Sequence, residues 1–411
     1  MGSTTYRQHN LFDWSAVWTS EPENIRTVLA TKFQKFELGP LGRNNFVPVL
    51  GHGIFTSEGK DWAYFRAQLR PQFTRDQVSD LEAAERHLQI LFRALPKEDS
   101  SGWTEKMDIM PLLFNFTLDV STEFLFGKSV NSQTALVSSQ DLVSDPEVKR
   151  NMDFSKALNF SLGYIGWRVR LQGLYWLANS RKFRQACRTV RDFTDDFVQL
   201  TLDPTNKQLT PDASRKGKFV LLDSLVGSTK SSEELRDQVL QILVAGRDTT
   251  SSLLSWTILL LSRHPKHFNF LRDAILKHFG TDNSPKNTMT FSTLKACKPL
   301  QNVLYETLRL YPLVPLNSRT ALVSTILPVG GGKDGKLPIA IAKGEQVVYS
   351  AYVLHRRKDI WGEDADEFRP GRWEGRKIGW EFLGFSGGPR ICLGREFACL
   401  LFVLRLFYAL P

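Results

Sequence analysis

The chain is 411 residues long, 42% hydrophobic and 23% charged, with a formal net charge of +10. That composition excludes a disordered or collagen-like chain and leaves room for a large core. Its Lys and Arg are scattered, with only small groups such as Arg356-Arg357-Lys358, which argues against a nucleic-acid binder and fits a solvated surface or an acidic partner.

The start, MGSTTYRQHN, is polar, so it is neither a signal peptide nor an anchor, and Tyr6 breaks the myristoylation pattern. Ser57–Leu69 and Thr74–Ala94 read as consecutive helices with Pro71 between them. Met107–Leu125 is apolar at helical spacing, and Ser155–Thr201 is mostly helical. The polar stretch Leu202–Lys218 is the best loop candidate. Ser232-Glu233-Glu234 starts a long helix that His264-Pro265 ends, and Lys266–Phe279 begins another. Its most apolar part, Val239–Leu261, is interrupted by Arg247 and Asp248, which predicts a buried helix rather than a membrane span. Strand signals are short and late. Arg319–Val329 followed by Gly330–Lys336 reads as strand and turn, and Leu337–Ile341 and Gln346–Tyr349 as two more strands. The fold class predicted is mainly α with a small β portion. Trp361–Gly387 is a long irregular segment rich in Gly, Pro and aromatics, and such segments tend to be functional.

The four cysteines, Cys187, Cys297, Cys392 and Cys399, are few and irregularly spaced, so neither a disulfide framework nor a zinc knuckle is expected. Cys392 has the most distinctive surroundings, Phe385-Ser386-Gly387-Gly388-Pro389-Arg390-Ile391-Cys392-Leu393-Gly394. The glycines permit close backbone approach, Pro389 stiffens the entry, and Arg390 brings a cation. Leu393–Val403 reads as a helix, so the sulfur sits near a helix N-terminus that stabilises a thiolate. A lone buried cysteine in a Gly-rich turn is the plain alternative.

This segment resembles the haem-binding loop of the cytochrome P450 superfamily, F-x-x-G-x-R-x-C-x-G, at Phe385, Gly388, Arg390, Cys392 and Gly394. Further family patterns follow in order along the chain. Trp62 and Arg66 match W-x-x-x-R, which contacts a haem propionate. Ala245–Thr250 matches A-G-x-[DE]-T-T, in which Asp248 and Thr249 carry protons to oxygen. A bond from Thr249 to the Ala245 carbonyl would loosen the helix into a local bulge. Glu306 and Arg309 match E-x-x-R, and Phe368–Trp373 matches F-x-P-x-R-[FW]. Taken alone these are an amphipathic helix, a kinked core helix, a surface ion pair and a Pro-Gly turn. The resemblance makes Glu306, Arg309 and Arg372 a buried structural triad. It also makes Arg319, with Arg390 and Arg66, a propionate ligand, and Cys392 the iron ligand. His355 is read as structural.

The resemblance implies a single domain over residues 1–411, a helical body around haem b plus a small sheet. It implies a monooxygenase that uses dioxygen and electrons from NADPH through cytochrome P450 reductase. Stretches such as Leu235–Thr250, Leu310–Ala321, Pro328–Lys336 and His355–Gly375 are similar to fungal alkane and fatty-acid hydroxylases. They imply terminal hydroxylation of a long apolar chain. Ala245 stands where animal fatty-acid ω-hydroxylases carry an acidic residue that links to haem, so non-covalent haem is expected. Such proteins lie on the cytosolic face of the endoplasmic reticulum membrane. Neither their membrane anchor nor their final strands is recognised here, so a product truncated at both ends is expected. A haem-binding protein with little turnover, or a monooxygenase of another apolar molecule, is the alternative.

Overall fold

The computed structural model describes residues 4–9, 15–73, 81–97, 99–134, 145–203, 220–229, 231–281, 284–287 and 290–395. Two compact units divide the chain, one built from Met1–Pro40 with Trp256–Arg395, the other from Leu41–Ser255. The mainly helical reading with a small sheet portion holds.

The second unit is helical. Asp145 caps the helix Pro146–Arg170 by accepting from the Glu147 N–H, with Pro146 preset for the first turn. Ser180 caps Arg181–Leu202 in the same way through the Phe183 N–H. The stretch predicted as one mostly helical run is therefore two helices, separated by the 3-10 turn Gln172–Leu177. Phe154 and Phe193 stack across them at 4.0 Å. Gly59–Leu69 continues into a 3-10 turn at Arg70–Phe73, and Leu81–Ala94 and Met110–Phe126 follow. The first part of the predicted Thr74–Ala94 helix and most of Leu202–Lys218 lie outside the described residues.

The other unit holds the sheets. Its main sheet runs Thr5–His9, Ser15–Thr19, Gln346–Ser350, Leu316–Ala321, Phe36–Glu37. Ser15–Thr19 pairs parallel with Gln346–Ser350, and the other pairs are antiparallel. Two corrections follow. Strand signals are not confined to the later part of the chain: the polar start supplies an edge hairpin, whose Val17 fills the core while its outer strand is mostly exposed. Arg319–Val329 is not one strand but parts of two, Leu316–Ala321 and Thr325–Gly331, which belong to different sheets. The break falls at the exposed Leu322 and Val323, where the chain leaves one sheet for a separate hairpin with Leu337–Ile341. Ile25, Val28, Leu29, Val347, Tyr349, Leu354 and Leu383 pack in one core beneath the main sheet.

Candidate active site

Cys392 lies in the unit that contains the sheets, at the end of a loop closed on itself. Its N–H donates to the Phe385 carbonyl at 3.0 Å, and the Ile391 N–H donates to the Gly388 carbonyl at 3.0 Å. Gly388 has φ +67°, and a Cβ there would stand 1.9 Å from the Leu29 carbonyl oxygen, so only glycine lets the loop lie against that turn. Phe385, Arg390 and Gly394 are half-buried, whereas Cys392 is exposed. Cys187 and Cys297 are buried. Burial pushes the Cys187 thiol up to about 11 and raises that of Cys297, so neither offers a ready thiolate. Cys399 and most of the expected helix after Cys392 lie outside the described residues.

Behind this loop stands a network centred on Glu306. The helix Lys298–Leu310 places Glu306 and Arg309 one turn apart, both fully buried. Arg309 donates to both carboxylate oxygens, at 2.8 and 2.9 Å. Arg372 adds a bond of 2.9 Å, the Trp373 indole one of 3.0 Å, and the Arg369 N–H one of 2.9 Å. Arg309 also donates to the carbonyls of His355, Ala365 and Glu367. These bonds tie the irregular segment to the helix. Sequence reasoning missed how His355 joins it. The ring is fully buried, with Nδ1 3.0 Å from the Arg309 carbonyl and Nε2 2.8 Å from the Leu383 N–H. A carbonyl needs a donor and an N–H needs an acceptor, so the ring is neutral with its proton on Nδ1. Burial lowers its pKa to about 3, which agrees.

Arg319, on Leu316–Ala321, is 4% exposed. Its Nη1 donates to Asn317 Oδ1 and to the Ser318 carbonyl, while its Nε has no partner. No carboxylate among the described residues pairs with it. A buried guanidinium without a counter-ion is costly, and an anionic ligand would complete it. A carboxylate-bearing haem would meet that requirement, and the exposed Cys392 would offer it a sulfur, so the residues present fit the group.

The remaining predicted residues belong to the helical unit. Trp62 and Arg66 share a face of Gly59–Leu69, with the guanidinium 5.6 Å from the indole centroid. On the helix Ser232–Arg263, Thr249 donates to the Ala245 carbonyl at 2.6 Å. The expected bulge is nevertheless not there, because the helix is α-helical from Ser232 to Arg263. The Thr249, Ser251 and Ser255 hydroxyls each bond a carbonyl four residues back without displacing an N–H. Gly246 instead admits a close neighbour, since a Cβ there would meet Ser121 Oγ at 3.3 Å. Arg247, passed over as an interruption, is 1% exposed. It donates to Asp248 at 2.8 Å and to Asn159 Oδ1, and lies 4.7 Å from the Phe114 ring centroid. Burial raises the Asp248 pKa and Arg247 opposes that shift. The clue in the sequence was an arginine inside an apolar run with a carboxylate beside it.

Residues 12–407 match the family described as Cytochrome P450. The chain belongs to the cytochrome P450 family. Relatives agree. Cytochrome P450 monooxygenase g430 of Fusarium sp is 46% identical over 97% of this chain and 70% of its own length. Cytochrome P450 52A3-A of Candida maltosa is 45% identical over 93% and 72%, and cytochrome P450 52A1 of Candida tropicalis 43% identical over 92% and 69%. The protein is thus an oxidoreductase of the monooxygenase type, and membership in this P450 family implies thiolate-ligated haem iron and electrons from a redox partner. Among the described residues, no helix is long and apolar enough to cross a membrane.

Proposed function

We propose that this P450 inserts one oxygen atom of dioxygen into the terminal C–H bond of a long apolar molecule, an n-alkane or a fatty acid. The observation that carries the chemistry is the Cys392 loop, with its exposed cysteine, in the same unit as a buried Arg319 that no carboxylate among the described residues pairs with. The substrate class rests on the similarity of Leu235–Thr250, Leu310–Ala321 and His355–Gly375 to fungal alkane and fatty-acid hydroxylases.

On this reading Cys392 holds the iron of a non-covalent haem b, and Phe385 and Gly394 shape its loop. When bound, the haem activates dioxygen, and the thiolate pushes electron density toward O–O cleavage. Arg319 and Arg390 would hold haem carboxylates through charge-assisted bonds, a task the family pattern also gives to Trp62 and Arg66. Asp248 takes protons from solvent and passes them to the Thr249 hydroxyl. Its raised pKa suits a group that must both gain and lose a proton. Arg247 holds that carboxylate in place. Glu306, Arg309 and Arg372 act only as a brace. Electrons come from NADPH through cytochrome P450 reductase. Trp167, Leu171, Leu174, Trp176 and Leu177 are all exposed, an apolar cluster that supports contact with a membrane such as the cytosolic face of the endoplasmic reticulum.

The test is Thr249→Ala, assayed with reductase, NADPH and a long-chain fatty acid or alkane. Haem content and NADPH use are expected to persist, while peroxide rises and terminal alcohol falls by roughly 10²–10⁴-fold. Product formation coupled to NADPH as tightly as in the parent would contradict the relay. Absence of any terminally oxidised product from the parent would contradict the substrate class.

A further inference from the structure

The strand pairing puts Tyr349 beside Arg319. Asn317 stands opposite Tyr349 and Arg319 opposite Val347, so all four side chains share one face of the sheet. Arg319 and Tyr349 are diagonal neighbours on that face, about 7–8 Å apart at the backbone, within reach of two long side chains. The Tyr349 ring packs in the core with Val28, Leu29 and Val347. The Gly388–Arg390 turn of the cysteine loop closes on the same Leu29 turn. Tyr349 is 4% exposed, and its hydroxyl has no hydrogen-bond partner among the described residues. Burial raises its pKa, while Arg319 and Arg390 both pull it down, so both cations act on that hydroxyl.

One buried corner therefore holds a phenol without an acceptor and a guanidinium nitrogen without an acceptor. Two unsatisfied donors at one place are expensive, since each forfeits its hydration. A carboxylate satisfies both: it accepts from the phenol and the guanidinium and neutralises the charge. We propose that Tyr349 is a haem-positioning residue, donating its hydroxyl proton to a haem carboxylate held by Arg319. The family patterns in the sequence name the arginines; none of them points to Tyr349. The inference rests on the haem-thiolate reading, and adds to it a neutral donor that fixes the tilt of one carboxylate rather than its charge.

The experiment compares the parent holoprotein with Tyr349→Phe, which keeps the ring and removes only the oxygen. Two quantities are measured: the rate of haem transfer to excess apomyoglobin, and the haem carboxylate bending band in the resonance Raman spectrum. Loss of a hydrogen bond to a charged group is expected to speed haem transfer roughly tenfold to a hundredfold. The bending band is expected to shift, and the thiolate–carbonyl signature to stay. Arg319→Lys, which keeps the charge but removes the Nε donor, is expected to shift the same band. An unchanged band and transfer rate in Tyr349→Phe would overturn the proposal, leaving the hydroxyl to an ordered water. A variant that fails to fold would also overturn it, because the hydroxyl would then serve the core and not the ligand. If the parent itself binds no thiolate-ligated haem, the haem-thiolate reading fails first, and that outcome is separate from both.

Discussion

Two buried polar regions of the sheet-bearing unit differ in one respect. Around Glu306, both carboxylate oxygens accept bonds, and Arg309 reaches three backbone carbonyls besides. Around Arg319, no carboxylate among the described residues pairs with the guanidinium and none of their acceptors meets the Tyr349 hydroxyl. A saturated network has nothing left to offer a ligand and acts as a brace. An unsaturated one keeps donors in reserve for a ligand. Charge and burial alone would not separate the two, since Arg309 and Arg319 are both nearly inaccessible; the count of satisfied atoms does.

The comparison breaks most visibly at Glu306. Glu306→Ala leaves the fully buried Arg309 facing no carboxylate, while Arg372 keeps Asp364 as a partner, with an expected cost of about 3–5 kcal/mol. Haem-free or aggregated protein is the expected outcome, measured by haem content and thermal melting. Wild-type haem content and melting temperature would show that the network is not a brace.

A smaller effect is expected at His355, which joins the brace to the chain just before the cysteine loop. His355→Leu orphans the Leu383 N–H and the Arg309 carbonyl, at roughly 1–3 kcal/mol for each group. The histidine also carries a pH signature. Its folded pKa is lowered to about 3 from an ordinary 6.5, so below 6.5 the unfolded chain takes up a proton that the folded one refuses. Its stabilising contribution is complete above that pH and is lost as pH falls from 6.5 toward 3, by at most about 1.4 kcal/mol per pH unit. The gap in melting temperature between parent and His355→Leu should therefore narrow from pH 7 to pH 5. A gap independent of pH would mean that the buried ring is not held neutral.

The smallest effect on folding is expected from Tyr349→Phe, in the unsaturated corner. There the melting behaviour should survive and only haem retention should change, whereas Glu306→Ala should lose both.

Much of this was legible in the sequence because short motifs encode local chemistry. The glycines around Cys392, the turn spacing of Glu306 and Arg309, and the Pro265 break are each set by neighbours in the chain. What escaped was set by distant partners. The paired strands Thr5–His9 and Ser15–Thr19 exist because Ser15–Thr19 finds Gln346–Ser350 some hundreds of residues away. His355 gained its role from Leu383 and Arg309, and Tyr349 from Arg319 across a strand pair. The bulge at Ala245–Thr250 failed for the opposite reason. A local rule predicts it, but the Thr249 and Ser251 hydroxyls bond carbonyls of a helix that stays α-helical throughout.

The most direct measurement is the reduced carbonyl difference spectrum of the parent and of Cys392→Ala, Cys187→Ala and Cys297→Ala. The thiolate Soret signature should be present in the parent and in the two buried-cysteine variants, and absent from Cys392→Ala. A normal thiolate–carbonyl spectrum from Cys392→Ala would contradict the account.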